Sequence, residues 1–543
     1  MNPCARHFRQ RALPVALGSL VAACGAGSGP SAPPAPPPSS VTLVRVSQPS
    51  TFPAGCDGVA PSGTLYTDTV AEPYLVVNPT SPANLIGAWQ QNRWSDGGAQ
   101  GLMLAASFDG GATWTLSRAA FSRCTGGNAG NRGDYARASD VWLAFSADGA
   151  AYALSLSFSG LTLAAGSSSG MLVARSQDGG ITWGAPTALL QDGAQSFNDK
   201  GSITSDPLDA RFVYAVWDRI SAQNGPAWLA MTTDAGASWQ AARSIYDPGV
   251  RNQTLGNQIA VLPGGVIVDV FTEIDASATA AMAASLRVIQ SADHGGTWSA
   301  PVKIADLLAV GTRDPQTGAA VRDGSDLASV AGDSGGVIYV AWQDSRFSAG
   351  QHDGIALARS PDGGRTWSQP AQINAVPTAA AFTPTVHVRA DGVVGITYYD
   401  LRNDTPDAAT LLTDYWLVAS ADAGSWRESH LSGPFDLDLA PDSRGLFLGD
   451  YEALASSGTE LLPFFVQSTA GAQQRHTDVF LAFAPPSLSV ATRAATPERE
   501  VTAAVAASFT VSAEWRRRVQ QRIMLTLAQR FGDAPHFKQS ETP

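Results

Sequence analysis

The eight residues "SPDGGRTW", Ser360–Trp367, are composed like a tight hairpin turn. The Asp carboxylate can accept backbone N–H groups, Gly supplies a positive φ, and the Trp packs on a sheet below. The same turn recurs as "SFDGGATW" (Ser107–Trp114), "SQDGGITW" (Ser176–Trp183), "TTDAGASW" (Thr232–Trp239) and "SADHGGTW" (Ser291–Trp298). A sixth copy, "SADAGSW" (Ser420–Trp426), is one residue short. By subtraction the Asp residues lie 69, 56, 59, 69 and 60 positions apart, so the chain is an array of similar units.

The unit is most legible over Gly335–Ile373. Short runs rich in Val, Ile, Ala and aromatics alternate there with turn residues, which predicts successive antiparallel strands. Four can be traced: an entry strand such as "SDLASVA", then "GVIYVAW", "GIALARS", and "WSQPAQI" after the Asp turn. Only 15% of residues are charged, while Gly (53) and Pro (34) are plentiful, as many short strands and turns require. Four-stranded sheets repeated in tandem lose most exposed edges by closing into a ring, so the expected fold is an all-β β-propeller. Six units carry the turn. A seventh, "LFLGDYEALAS", "LLPFFVQS" and "DVFLAFA", lacks it and could take "VTLVRVS" (Val41–Ser47) as its fourth strand. Seven blades are therefore favoured, with six as the alternative. Each Asp turn is fully explained as structure, so Asp109, Asp178, Asp234, Asp293, Asp362 and Asp422 are not expected to bind metal; each turn brings one carboxylate, and a metal needs several.

The pattern S-x-D-x-G-x-T-W resembles the Asp-box, or bacterial neuraminidase repeat, and the resemblance covers about residues 41–488. A sialidase-like propeller is implied, with Asp-boxes away from the active site. The family's activity would be exo-alpha-sialidase: retaining glycoside hydrolysis of terminal acidic sugars, with a Tyr nucleophile, a carboxylic acid that protonates the leaving group, and arginines that clamp the substrate carboxylate. The Asp-box is shared with non-enzymes, so the alternative is a non-catalytic propeller binding glycans or a protein partner. The family's early "F/Y-R-I-P" segment, whose Arg belongs to the clamp, has no counterpart here; "DRI" at Asp218–Ile220 is later and lacks the Pro. A clamp would have to be assembled from other arginines.

With the Asp turns on one face, the second-to-third loops and blade connections fall on the other, and polar residues collect there. Second strands end in "AWQQNR", "VWDR", "AWQDSR" and "YYDLR". Together with "NRGDYAR" they offer Arg93, Arg137, Arg219, Arg346 and Arg402 as substrate-binding candidates. The two "GDY" triplets offer Asp134 with Tyr135, and Asp450 with Tyr451 and Glu452, as catalytic candidates. Connections "FNDKG" and "VRDGSD" add Asp199, Lys200, Arg322, Asp323 and Asp326. Strand alternation would set Asp450 and Glu452 on one side and Tyr451 on the other. The competing reading is structural throughout: repeated Asp–Arg pairs can bridge blades, and the tyrosines can pack against the next blade.

The N-terminus joins Arg6, Arg9 and Arg11 to the apolar run "ALPVALGSLVAA" and then Cys24. This reads as a secretory signal over residues 1–23. "LVAAC" resembles a bacterial lipobox, which implies lipidation of Cys24, although small residues before a Cys also arise by chance. The Pro/Gly/Ser-rich stretch 24–40 reads as a tether, and Gly25 after the Cys favours the outer membrane or cell surface, with the periplasm as alternative. Losing three basic and no acidic residues with the signal moves the net charge from −12 to about −15, which does not suit nucleic acid. Cys56 and Cys124 form an even pair for an oxidising compartment and fall in neighbouring blade connections, as a disulfide would require; two unrelated thiols are the alternative. No cofactor is expected, since neither a zinc-like His/Cys/Glu spacing nor a phosphate loop occurs, and a monomer is expected. In the tail, 489–543, an amphipathic helix about 512–531 sets Trp515, Val519, Ile523, Leu527 and Phe531 four apart beside a basic face. Docking on the propeller, a partner, or acidic lipid are the open placements.

Overall fold

The computed structural model describes residues 41–60, 62–276, 282–470, 475–483, 499–502, 504–505 and 510–531. Cys24 and the signal and tether segments lie outside the described residues.

The chain is all-β, with one α-helix among the described residues, and its strands form antiparallel four-stranded units, the first two joined into one sheet by the pairing of Ala99 with Ala138. The first sheet holds Leu65–Val77, Leu85–Trp94, Ala99–Ser107 and Thr115–Ser117; the second holds Arg137–Phe145, Ala151–Ser159, Ser168–Ser176 and Thr187–Gly193. The third is Ser196–Ser205, Val213–Ser221, Ala227–Thr232 and Arg243–Tyr246, and the fourth Gln253–Val261, Ile267–Asp275, Ala283–Ser291 and Val302–Asp306. The fifth is Ala328–Gly332, Ile338–Asp344, Gly354–Ser360 and Ala371–Gln372, and the sixth Ala381–Val388, Val394–Asp400, Leu412–Ser420 and Ser425–Asp436. The seventh combines Ala453–Ser457, Glu460–Ser468 and Thr477–Phe483 with the N-terminal strand Thr42–Arg45, in register Thr42–Phe483 to Arg45–Phe480. Leading strands of successive sheets pack side by side, and that of the first sheet packs on the seventh. There the Val70 N–H donates to Thr477 Oγ1 (2.8 Å), whose hydroxyl donates back to the Val70 carbonyl (2.7 Å).

The five full-length copies of the turn share one geometry, while in the short sixth copy Asp422 accepts instead from the Gly424 and Ser425 N–H groups. Ser107 Oγ donates to Asp109 Oδ1 (2.8 Å) and accepts the Gly111 N–H (2.8 Å). Asp109 also accepts the Thr113 N–H (2.9 Å) and hydroxyl (2.6 Å). These bonds, led by the Thr113 hydroxyl, hold its pKa down to about 2. All of these partners lie within the turn, which connects third and fourth strands. Between sheets the core is aromatic and aliphatic: Trp89, Trp217 and Trp342, on second strands, are wholly buried.

A disulfide joins Cys56 to Cys124, Cα–Cα 4.9 Å, tying the approach to the first sheet to the connection between the first and second. The tail adds two short outer strands, Arg499–Thr502 on the sixth sheet and Ala504–Val505 on the fifth, and then α1, Ala513–Phe531. Trp515, Val519, Ile523 and Leu527 are buried in the cluster formed by the second to fifth sheets, so α1 docks on the sheets. The Phe531 side chain lies outside what is described.

Candidate functional site

Five leading strands carry a bulge near their start, where pairing with the second strand slips: after Ala71, Ser139, Asp199, Leu255 and Phe382. The next residue in each has positive φ: Glu72 (51°), Asp140 (51°), Lys200 (46°), Gly256 (67°) and Thr383 (50°). A bulge re-aims its side chain. Here it brings Glu72, Asp140 and Lys200 from three sheets to one point. Lys200 Nζ lies 3.2 Å from Glu72, 3.0 Å from Asp140 and 2.6 Å from Asp450.

Arg322 closes the other side of Asp450 with a bidentate pair, Nε–Oδ1 3.0 Å and Nη2–Oδ2 2.7 Å. It is placed by a short parallel pairing of Val321–Arg322 with Leu446–Phe447, and its guanidinium lies 4.5 Å from the Phe447 ring centroid. Arg93 lies 4.4 Å from the same ring. Its other partners are neutral: Gln90 Oε1, and Ser443 Oγ at 3.2 and 3.3 Å. Among the described residues, no carboxylate is within ion-pair reach of Arg93. Burial and then the neighbouring Arg322 lower its pKa to about 10.

Charge is distributed unevenly in this network. Burial pushes the Glu72 pKa up to about 8 although Lys200 opposes it, which favours the neutral carboxyl. Burial also pushes Asp450 up, but Arg322 and Lys200 outweigh it and hold that carboxyl well below the usual range. For Lys200 the opposing effects are burial, which lowers its pKa, and the carboxylates of Asp140, Asp450 and Glu72, which together raise it. With Glu72 neutral, three cations face two carboxylates.

Arg93, Asp140, Lys200, Arg322 and Asp450 border a cavity of about 580 Å³, with Glu72 wholly buried behind them. Leu156, Phe158, Phe197, Leu255 and Leu327 give it apolar wall, and Arg522, Thr526, Gln529 and Arg530 of α1 contribute another side. Its basic lining, Arg93, Arg137, Lys200, Arg322, Arg444, Arg522 and Arg530, outnumbers the five acidic residues Asp96, Asp140, Asp199, Asp326 and Asp450. Arg522 and Arg530 are neutralised by Asp323, Asp326, Asp199 and Asp218, so the charge that suits an anion in this chain of net charge −12 is that of Arg93 with Arg322 and Lys200.

Of the residues expected from sequence, Arg93, Arg137 and Asp450 meet at this cavity. Arg137 is held by Asp96 (2.7 Å), the Gly97 carbonyl (2.6 Å) and Ser62 (3.0 Å). The other arginines stand elsewhere. Arg219 reaches across to Asp192 of the second sheet (2.7 and 2.6 Å), Arg346 pairs with Asp344 (2.7 Å), and Arg402 pairs with Asp400 (2.6 Å) and Glu428 (2.7 Å). Each is stapled to a carboxylate at a strand end, which is the scaffold role.

Neither candidate tyrosine lines this cavity. Tyr135 is packed in the apolar cluster of the first two sheets, and its hydroxyl accepts from Gln191 (2.8 Å). Asp134 pairs with Arg123 (2.6 Å) instead. Tyr451 donates to the Val141 carbonyl (3.2 Å), and burial holds its hydroxyl well above the usual phenol range. Residues 448–452 precede the strand Ala453–Ser457, so alternation does not govern them. Asp450 faces Lys200 and Arg322, whereas Glu452 accepts the Val466 N–H (3.0 Å) inside the seventh sheet. The Tyr135 and Tyr451 hydroxyls are thus hydrogen-bonded to an amide and a carbonyl, not to a carboxylate.

Glu72 and Asp140 were not among the sequence candidates, and Lys200 and Arg322 were noted only as polar residues on the face. The signal was present. Subtraction puts Glu72, Asp140, Lys200, Gly256, Gly324 and Thr383 at 37, 38, 34, 37, 38 and 39 positions before the Asp of their own turn. Gly324 shares the positive φ (59°), and a Cβ there would fall 2.0 Å from the Asp450 carbonyl oxygen.

No protein-family model matches the chain, and no curated protein matches it in sequence. Similar solved structures include a protein of unknown function from Dyadobacter fermentans, 13% identical over 69% of this chain and 97% of that one, with a TM-score of 0.42. They also include the Penicillium chrysogenum alpha-L-arabinanase complexed with arabinobiose (15%; 66% and 94%; 0.43) and a Hadza microbial sialidase (17%; 73% and 76%; 0.42). Likenesses at these TM-scores decide neither the fold nor the chemistry of this chain.

Proposed function

We propose that the protein is a sialidase-like propeller whose cavity takes the terminal acidic sugar of a glycan. In this reading the sheets close as a seven-bladed ring with Thr42–Arg45 as the final strand, and Cys24 anchors the domain by lipid at the outer membrane or cell surface. The observation that carries the functional part is Arg93: a buried guanidinium with only neutral partners, beside Arg322 at a cavity wall. A substrate carboxylate would supply the paired acceptor that it lacks.

Binding has better support than hydrolysis, because the tyrosine hydroxyls are engaged inside the protein. Hydrolysis is kept as a second reading because burial raises the Glu72 carboxyl and so favours the protonated form that a general acid needs, although Glu72 sits behind the cavity wall. Isothermal titration of the full chain with the α-methyl glycoside of N-acetylneuraminic acid is expected to show saturable one-site binding, weakened at least about tenfold by Arg93→Met, or about 1.4 kcal/mol. Absence of binding by the folded chain would contradict the reading. Fluorophore release from an aryl sialoside, lost in Glu72→Gln, would establish hydrolysis; intact binding without release leaves a binding propeller.

A further inference from the structure

We propose that α1 is a detachable plug, bound in cis, that restricts entry to the cavity; this rests on the cavity being the ligand site. The helix lies along the polar face, where its four buried apolar residues pack on the sheets and two arginines pair with their carboxylates. Arg522 Nη2 lies 3.2 Å from Asp323 and 3.3 Å from Asp326, and Thr526 donates to Asp326. Arg530 pairs with Asp199 (3.0 Å) and Asp218 and donates to Gln253 (3.1 Å). Both guanidiniums line the cavity, yet both are committed to carboxylates of the sheets. They fill space that a glycan would need while presenting their charge to the protein.

The strand pairing of the sheets does not involve the helix. Arg499–Thr502 and Ala504–Val505 pair with the outer strands of sheets that already have four, so α1 can leave without breaking up any of them. Its N-terminal end is seated on the loop 345–351: Trp515 Nε1 donates to Ser345 Oγ (2.7 Å), its ring covers Gly350, and Arg518 donates to the Gly350 carbonyl and to that of Gln351 (3.1 Å). Gly350 has φ +83°, and a Cβ there would lie 2.3 Å from the indole ring. At the other end Arg444 caps the helix, donating to the Ala528 carbonyl (3.2 Å) and to that of Gln529.

The test uses the full chain and two ways of loosening α1: Arg522→Gln with Arg530→Gln, which removes the ionic hold, and Gly350→Ala, which unseats Trp515 and leaves the cavity charges in place. Amide hydrogen exchange along Ala513–Phe531 and titration with sialyllactose are measured on each. Both variants are expected to exchange α1 amides at least about tenfold faster, with core-strand protection retained, and to bind sialyllactose about five- to tenfold more tightly, since the open fraction limits apparent affinity. Exchange in α1 that stays as slow as in the strand Val213–Ser221 in both variants would overturn the proposal. So would release of α1 with unchanged or weakened sugar affinity, which would make the helix a fixed part of the site. Release of α1 with sugar bound by none of the chains would instead overturn the acidic-sugar reading, and the gating of that site with it.

Discussion

Glu72, Asp140 and Lys200 share a backbone conformation that costs non-glycine residues about 1–3 kcal/mol each, and they share a charge cluster. The common bulge is what makes three residues, far apart in sequence, neighbours at the centre. Read as strands with strict period two, these segments hide the bulge, because a one-residue slip changes which side chain points where. That is why Glu72 was overlooked, whereas Asp450 and Glu452 were placed together because alternation was applied to residues that precede the strand Ala453–Ser457. At this scale the sugar-binding reading has a pH consequence. Below about pH 8 Glu72 is neutral; above it the carboxylate forms and the network formed with Arg93, Lys200, Arg322, Asp140 and Asp450 loses its excess positive charge. Affinity for an acidic sugar should therefore fall as pH rises through about 8, and Glu72→Gln should remove that fall. A pH series of titrations on both chains checks this; an identical decline in the variant would show that Glu72 is not the group responsible.

Strand ends account for most of the arginines that sequence reading offered to a ligand. In the fifth sheet Trp342 Nε1 donates to Asp344 Oδ2 (2.8 Å), and Arg346 pairs with the same oxygen (2.7 Å). In the sixth, Asp400 accepts from Trp416 (2.9 Å) and Arg402. The recurring aromatic-x-D-x-R is thus a staple of a strand end, and its repetition was the sequence's own hint of that role. Asp344 is wholly buried, so Arg346→Ala should destabilise the fold by about 3–5 kcal/mol, the cost of leaving such a carboxylate unpaired, while sugar affinity stays unchanged. Chemical denaturation and titration of the same variant check both halves; lost affinity at full stability would return Arg346 to the ligand site. α1 was legible as an amphipathic helix from its four-residue apolar spacing. Its seat was not, because the carboxylates that receive Arg522 and Arg530 lie about 200 to 330 positions away in sequence, as with Thr526 and Asp326 (200) and Arg530 and Asp199 (331).

For the whole molecule, the Asp turn carried the architecture: one repeated hairpin required repeated strands, and the strands appear as four-stranded antiparallel sheets, with the N-terminal strand in the last. The centre was less legible because it is assembled from residues contributed once per sheet, none of which is distinctive alone. What the assembly produces is a local reversal of sign, a cationic hollow in an acidic chain. That reversal is the central claim, and one measurement addresses it directly: competitive titration of the full chain with the α-methyl glycoside of N-acetylneuraminic acid and with its carboxylate methyl ester. The ester keeps the sugar's shape and removes its charge. The account predicts that it binds at least about tenfold more weakly than the acid. Equal affinity for acid and ester would contradict recognition of an anion by Arg93 and Arg322.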